Sequence, residues 1–291
     1  MSQIIISKDR SFQSIPGVII TDSGITIQKN AHLTETVTIK VLDRTLEKFD
    51  VTVEESASAK VILSIDDHVE GSADYYINFA AKANANLKFL LISNIQTEKS
   101  VVHLKGNLYR DANINFMASF VSHKIDAVIH LDLVEPGASL KVRTITISAK
   151  DNVQNLDVHM IHHAPHTTAE MTNIAIAGEN GIVRLNGVGE VLKGMVDSSA
   201  FQTLRGIITN DKAQIDVNPI LIIDEYDIQA AGHAATVGKL EEETLYYLMS
   251  RGLTLEEATK LIINGFLRPV IDEIDDEVIK ENVINLVNER I

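Results

Sequence analysis

The sequence predicts a stacked parallel β-solenoid closed by a short helical tail: mainly β, with a C-terminal α-helical subdomain. Three observations lead there. Alternating apolar positions return about every 26 residues; the 45% apolar content is drawn mainly from Ile, Leu, Val and Ala, with only 5% aromatics; and the periodicity turns helical after about Gly238.

The repeat is read from alanine followed two positions later by an aliphatic residue. It occurs at Ala31 and Leu33, Ala59 and Val61, Ala85 and Leu87, Ala112 and Ile114, Ala138 and Leu140, and Ala213 and Ile215. The first five alanines are 28, 26, 27 and 26 residues apart, and the last follows after 75, or three units of 25. The position four after the alanine is also apolar in five of the six, as Leu63, Phe89, Phe116, Val142 and Val217, with Glu35 the exception. Spacing by two is strand periodicity, one face in and one face out. Each unit therefore reads as strand, polar turn, alanine, strand, with the alanine at a corner too crowded for a larger side chain.

Energetics favour a stack of such units. Ordering a residue's backbone costs roughly 1–2 kcal/mol, whereas each inward aliphatic contributes about 1.5–3 kcal/mol. Four or five of these cannot hold one unit by themselves; stacking buries both sides of every layer and completes the ladder hydrogen bonds. An antiparallel sandwich with similar strand spacing is the competing architecture, but it needs no fixed period.

The expected domains are a β-helix core over 1–238 and a helical subdomain over 239–291. Lys239 to Arg251 carries Leu245, Leu248 and Met249 on one face, with Gly252 as its C-cap. Thr254 and Glu257 form a capping box opening a second helix, with Ala258, Leu261, Ile262, Gly265 and Phe266 as its stripe until Pro269 stops, kinks or restarts it. Asp275, Asp276 and Glu277 open a third, with Ile279, Val283 and Leu286 along one side. An open solenoid end exposes unpaired strand edges, so capping that end is the structural role expected of these helices.

Net charge is −14, and such a surface repels phosphates, which argues against nucleic acid as a partner. There are no cysteines, hence no disulfides, thiolate nucleophiles or clusters ligated by thiolates of this chain alone. No apolar stretch approaches bilayer-spanning length, and the N-terminal residues lack a secretion leader. The expectation is a soluble cytoplasmic protein.

Chemistry is sparse. His159, His162, His163 and His166 fall within eight residues, without the spacing of a metalloprotease helix; surface or turn histidines are the plain alternative to ligands. His233 sits among small neighbours, Ala230 to Ala235, that leave its imidazole accessible, though a single histidine is more commonly packed or solvated. Arg205 reads as a rung-edge charge. Gly187 and Gly189 lack the phosphate-loop spacing, and no sequence-local carboxylate pair stands out as an acid/base couple.

A longer pattern adds to this. His-His-Ala-Pro-His-Thr-Thr at 162–168, Asp197 through Arg205, Pro219 through Asp227, His233 through Glu243, Tyr246 through Ala258 and Ile263 through Phe266 stand in order over more than a third of the chain. Together they resemble the SufB/SufD family of iron–sulfur cluster assembly proteins, which work with the SufC ATPase.

The resemblance implies a right-handed parallel β-helix, C-terminal helices that dock a SufC-type ATPase, and pairing through the β-helix with another SufB/SufD-type chain, identical or paralogous. It implies that His233 is the family histidine near a cluster or metal site at that interface; His163 and His166, from the histidine-rich stretch, are further candidate ligands. Iron or an iron–sulfur cluster would then be shared with the partner chain, no cofactor belonging firmly to this one. Arg205 stands where SufB-type chains place a cluster-associated cysteine; Ala234 and Ala231 replace a glutamate and a second cysteine of that pattern. Repeat-like sequence begins by about residue 30, without the N-terminal helical region of longer members. The chain is therefore similar to a SufD-like supporting subunit or a reduced homologue, a non-enzymatic role. A polysaccharide-active β-helix and a purely structural solenoid are the alternatives.

Overall fold

The computed structural model describes residues 2–6, 15–272, 274 and 276–290. In chain order the strands are β1 (Ser2–Ile6), β2 (Val18–Ile20), β3 (Gly24–Ile27), β4 (His32–Leu42), β5 (Lys48–Val53) and β6 (Ser58–Asp67). There follow β7 (Ser72–Ala81), β8 (Asn86–Ile95), β9 (Lys99–Leu108), β10 (Asn113–Phe120), β11 (Ile125–Leu133) and β12 (Ser139–Ser148). The last are β13 (Val153–His162), β14 (Thr168–Ala177), β15 (Ile182–Val191), β16 (Ser199–Ile208), β17 (Gln214–Ile223) and β18 (Ala230–Lys239), then α1 (Glu242–Ser250), α2 (Leu255–Ile271) and α3 (Glu277–Asn288).

Among the described residues, successive strands from β3 onward alternate between two nine-stranded sheets. One runs β1-β4-β6-β8-β10-β12-β14-β16-β18 and the other β17-β15-β13-β11-β9-β7-β5-β3-β2. Every pairing is parallel except β2 with β3. The chain thus climbs one rung at a time, as the fixed repeat predicts. Between the sheets runs one continuous apolar core, from Ile25 to Ile215. Phe79, Phe89 and Phe116 cluster inside it with ring centroids 5.1–5.8 Å apart. Room for Phe79 comes from Gly106, where an added Cβ would overlap the phenyl ring.

The alanine corner is real, but its membership differs from the expectation. Backbone bonds and strand register align Ala31, Ala57, Ala85, Ala112, Ala138, Thr167 and Ser198 in one column. Ala57 takes the place expected of Ala59, and Ala213 lies before β17 on the opposite sheet. The 75-residue gap misled because the later rungs are longer: Ser139 pairs with Thr168, and Thr168 with Ser199. Before each column member stands a residue with positive φ: Asn30, Ser56, Asn84, Asp111, Gly137, His166 and Asp197. Left-handed backbone is tolerated by Gly and, at lower cost than by most residues, by Asn and Asp. The corner is thus a left-handed residue followed by a small buried one.

The strand pattern also begins earlier than residue 30, since β1 pairs with β4 and β3 with β5.

The helices do not cap the end of the stack. They lie along the outer face of the first sheet. Ile263, Leu267, Val270, Ile271 and Val287 pack on Ile145, Ile147, Ile174, Ile176 and Ile207, while Ile274 and Val283 pack on Ile62, Leu90, Ile92 and Met117. Strands carrying apolar residues on both faces need such a cover, and this demand overrides that of the strand edges. The expected end cap is therefore corrected to a flank cover, with β17 and β18 left as open final strands.

Thr254 and Glu257 form the expected capping box, and Gly252, at φ 101°, follows α1. The buried stripe of α2 is rotated from the expected one. Ala258 is buried, but Leu261 and Phe266 are exposed and Ile263 and Leu267 point inward. α2 also continues through Pro269 to Ile271; a proline this near a helix end removes only one late hydrogen bond, and Val270 and Ile271 are held by the sheet. Asp276 is the N-cap of α3, accepting from the backbone N–H groups of Val278 and Ile279; Asp275 lies outside the described residues.

Candidate functional site

The candidate residues fall on the last three rungs, where the solenoid stops. β16 presents Gln202 and Leu204 inward, both buried, and Arg205 outward and exposed. β18 pairs with it so that His233 stands over Gln202 and Thr236 over Arg205. His233 thus occupies the lumen phase of an uncovered rung and is exposed. His233 and Arg205 face opposite sides of the sheet, so the fold does not bring them together. Arg205 instead lines a groove of about 470 Å³ with Thr236, Lys239, Glu241, Ile262 and Phe266, where the sheet meets α1 and α2.

Beneath His233, Gln202 donates from Nε2 to the Ile220 carbonyl at 2.9 Å, while its buried Oε1 has no partner among the described residues. Gly189 makes this possible: a Cβ there would sit 2.5 Å from the Gln202 amide nitrogen. Gly187 likewise faces the lumen, against Leu204 and Met171. Both glycines of the rejected phosphate motif therefore serve close packing inside the coil. Gln202 was within the family-like stretch, but its inward aim could not be read without the register of β16.

The histidine-rich rung separates into three environments. His159 and His163 face outward: His159 Nε2 meets Asp157 at 3.1 Å and His163 Nε2 meets Asp132 at 2.9 Å. His162 points inward and is fully buried, with Nδ1 2.7 Å from Thr167 Oγ1 and no partner for Nε2 among the described residues. Burial, and then the neighbouring His163, lower its pKa to about 4. His166 occupies the left-handed corner at φ 58°, exposed, 3.0 Å from Asp197.

Among the described residues no three His, Cys, Asp or Glu side chains gather where they could hold a metal ion. His163 and His166 thus engage separate carboxylates, the half-buried Asp132 and the exposed Asp197, and His233 is a single donor on an open edge. Such a donor set does not fit a site held by this chain's described residues alone. No described helix is long and apolar enough to cross a membrane.

Fold and site together define a parallel β-solenoid protein with a helical flank and an unfinished final rung. A family model described as the SufBD core domain of the SUF system of FeS cluster assembly matches residues 37–266. The chain belongs to the SufBD family. It is 34% identical over 149 residues to the iron–sulfur cluster assembly protein SufD of Bacillus subtilis, covering 51% of this chain and 34% of the relative. It is 30% identical over 226 residues to a SufBD family protein of Staphylococcus epidermidis, covering 76% of this chain and 44% of the relative. A SufBD family protein of Mycobacterium tuberculosis is 31% identical over 137 residues, covering 47% of this chain and 16% of the relative. The chain therefore spans less than half the length of these relatives.

Proposed function

We propose that this chain is a non-enzymatic, cytoplasmic subunit of a Suf-type iron–sulfur assembly complex, pairing through its last rung with another SufB/SufD-type chain. The observation that carries this is the open rung itself. β17 and β18 each end a sheet, and unpaired edges that are neither short nor covered invite pairing with another chain. The exposed apolar residues Ile220, Ile222, Ile223 and Val237 lie on these two strands, with His233 between the sheets as a donor toward iron or a cluster shared with the partner. Cluster components are cargo in this reading, and Arg205 takes the part of a positioning charge outside the lumen.

A SufC-type ATPase would dock on α1 and α2. α1 buries none of its residues, and Tyr246, Tyr247, Met249, Leu261 and Phe266 stay exposed. Deleting residues 239–291 would strip the cover from Ile145, Ile174 and Ile207, so surface substitutions are the cleaner test. In co-expression with a SufB-type chain and a SufC-type ATPase, Ile220→Asp with Ile222→Asp should abolish chain pairing but retain ATPase capture. Tyr247→Glu with Phe266→Glu should do the reverse. Retention of both partners by both variants would end the proposal. His233→Ala should assemble normally yet lower cluster yield; an unchanged yield excludes the metal role.

A further inference from the structure

The groove beside Arg205 is open space built into the fold, where the outer face of β16 and β18 meets α1 and α2. Its volume of about 470 Å³ falls within the roughly 300–1,000 Å³ usual for small-ligand pockets. Ile207, Leu240, Ile262 and Phe266 give it apolar walls. Gly238 lies at its floor. It pairs with Ile207 in register, and a Cβ added there would meet nothing within 4 Å. The charge inside is as particular as the shape. Arg205 is exposed and holds no hydrogen bond or ion pair among the described residues. Lys239, at the same groove, is tied to Asp211 at 2.6 Å. Glu241 accepts from the Thr244 hydroxyl at 3.2 Å. The groove thus offers one uncommitted guanidinium, with Thr236 beside it on the next strand.

We infer that this groove binds a small monocarboxylate with an apolar body, its carboxylate on Arg205 and its body along Ile207, Ile262 and Phe266. Two arguments choose the ligand. The first is charge. A guanidinium presents parallel N–H donors that match a carboxylate with two bonds. A phosphate dianion would find a single free cation and the repulsion of Glu241, so one negative charge is what the groove balances.

The second is the walls. One exposed ion pair contributes little, so a ligand held by Arg205 alone would not stay. Apolar surface buried against the isoleucines and Phe266 supplies the remaining affinity, and it requires a hydrocarbon or aromatic body. The inference does not rest on chain pairing or on ATPase docking, although Phe266 belongs to both surfaces.

The test is isothermal titration calorimetry of the full chain with octanoate, using octanol and acetate as probes that lack the charge and the body in turn. Octanoate should bind saturably, and the other two at least about tenfold more weakly. R205Q should weaken octanoate by about tenfold or more, or about 1.4 kcal/mol, and leave octanol unchanged. R110Q, which removes an exposed guanidinium ahead of β10, should change nothing. G238L should fill the floor and weaken octanoate and octanol alike. Gly238 is not among the residues of positive φ, so leucine is tolerated there, and this variant carries the test if R205Q disturbs the strand. Equal octanoate binding by wild type and R205Q, or by wild type and G238L, would overturn the inference. So would equal binding of octanol and octanoate by wild type. Tighter binding of a capped Leu-Glu-Leu peptide than of octanoate would also overturn it, by assigning the groove to a protein partner. Each titration uses this chain alone, so failure here leaves the pairing and ATPase-capture results to stand or fall separately.

Discussion

His162 Nδ1 lies 2.7 Å from Thr167 Oγ1 at a corner where both side chains are fully buried. With Thr167 donating to the Ala164 carbonyl, the imidazole carries its proton on Nδ1 and leaves Nε2 as a buried lone pair. That geometry accepts no second proton cheaply.

The consequence is acid sensitivity. The folded-state pKa, about 4, lies below the ordinary histidine value, so the unfolded chain takes up a proton first as pH falls. Stability from this group is complete above about pH 6.5 and is lost progressively down to pH 4, by about 3 kcal/mol in all. Urea unfolding of wild type and His162→Leu across that range measures it. The variant should show a flatter profile; parallel profiles would refute this source of the effect.

Asp67 is the second buried group with a defined cost. Its carboxylate is fully buried and accepts from Tyr75 Oη at 2.8 Å, Arg44 Nε at 3.0 Å and the Val69 N–H at 2.9 Å. Asp67→Ala leaves the Arg44 charge with only the Ser72 and Val69 carbonyls and takes the acceptor from the buried Tyr75 phenol. The expected loss is about 3–5 kcal/mol, read as a lower urea midpoint with unchanged slope; a loss below about 1 kcal/mol would mean the site relaxes.

The corner itself can be tested at Asn84 and Ala85. Asn84 has φ 57° and donates its backbone N–H to the Arg110 carbonyl. Asn84→Gly should be close to neutral, whereas Asn84→Val should lose about 1–2 kcal/mol to left-handed strain. Ala85→Val, at a position with no exposed surface, should cost about 1–3 kcal/mol by overpacking. Thermal midpoints of the three variants give the ranking.

Leu267, fully buried beneath the flank, tests the independence of helices and coil. Leu267→Ala should cost about 2–5 kcal/mol, felt first by the helices. Hydrogen exchange should quicken in α2 and α3 while β8 to β12 stay protected. Uniform loss of protection would show that cover and coil unfold as one unit.

Much of the architecture was legible because it is written in local periodicity. Spacing by two, return after one rung, the capping box of Thr254 and the glycine after α1 are properties of neighbouring residues. The corner alanines were visible for the same reason, although Ala59 was read for Ala57 because Ala59, on β6, is the next buried position after the corner. The left-handed column ahead of them was also available, as Asn, Asp, Gly or Ser before Ala, and would have corrected that register.

The site was less legible. His233 and Arg205 are close in sequence motif and in strand pairing, yet they face opposite sides, which depends on where β16 and β18 begin. Gln202 was hidden for the same reason. The rotated stripe of α2 followed from the shape of the sheet beneath it, since helical periodicity alone permits either face.

The chain's own order of residues determined that it would coil, roughly how far the early turns would run and that helices would follow, because those depend on contacts between near neighbours and on a repeat that returns to itself. Only the tertiary structure decided that the helices lie along the flank and that β17 and β18, the latter carrying His233, are the last strands of their sheets. These depend on which of two competing apolar surfaces buries more area, a comparison between segments far apart in sequence.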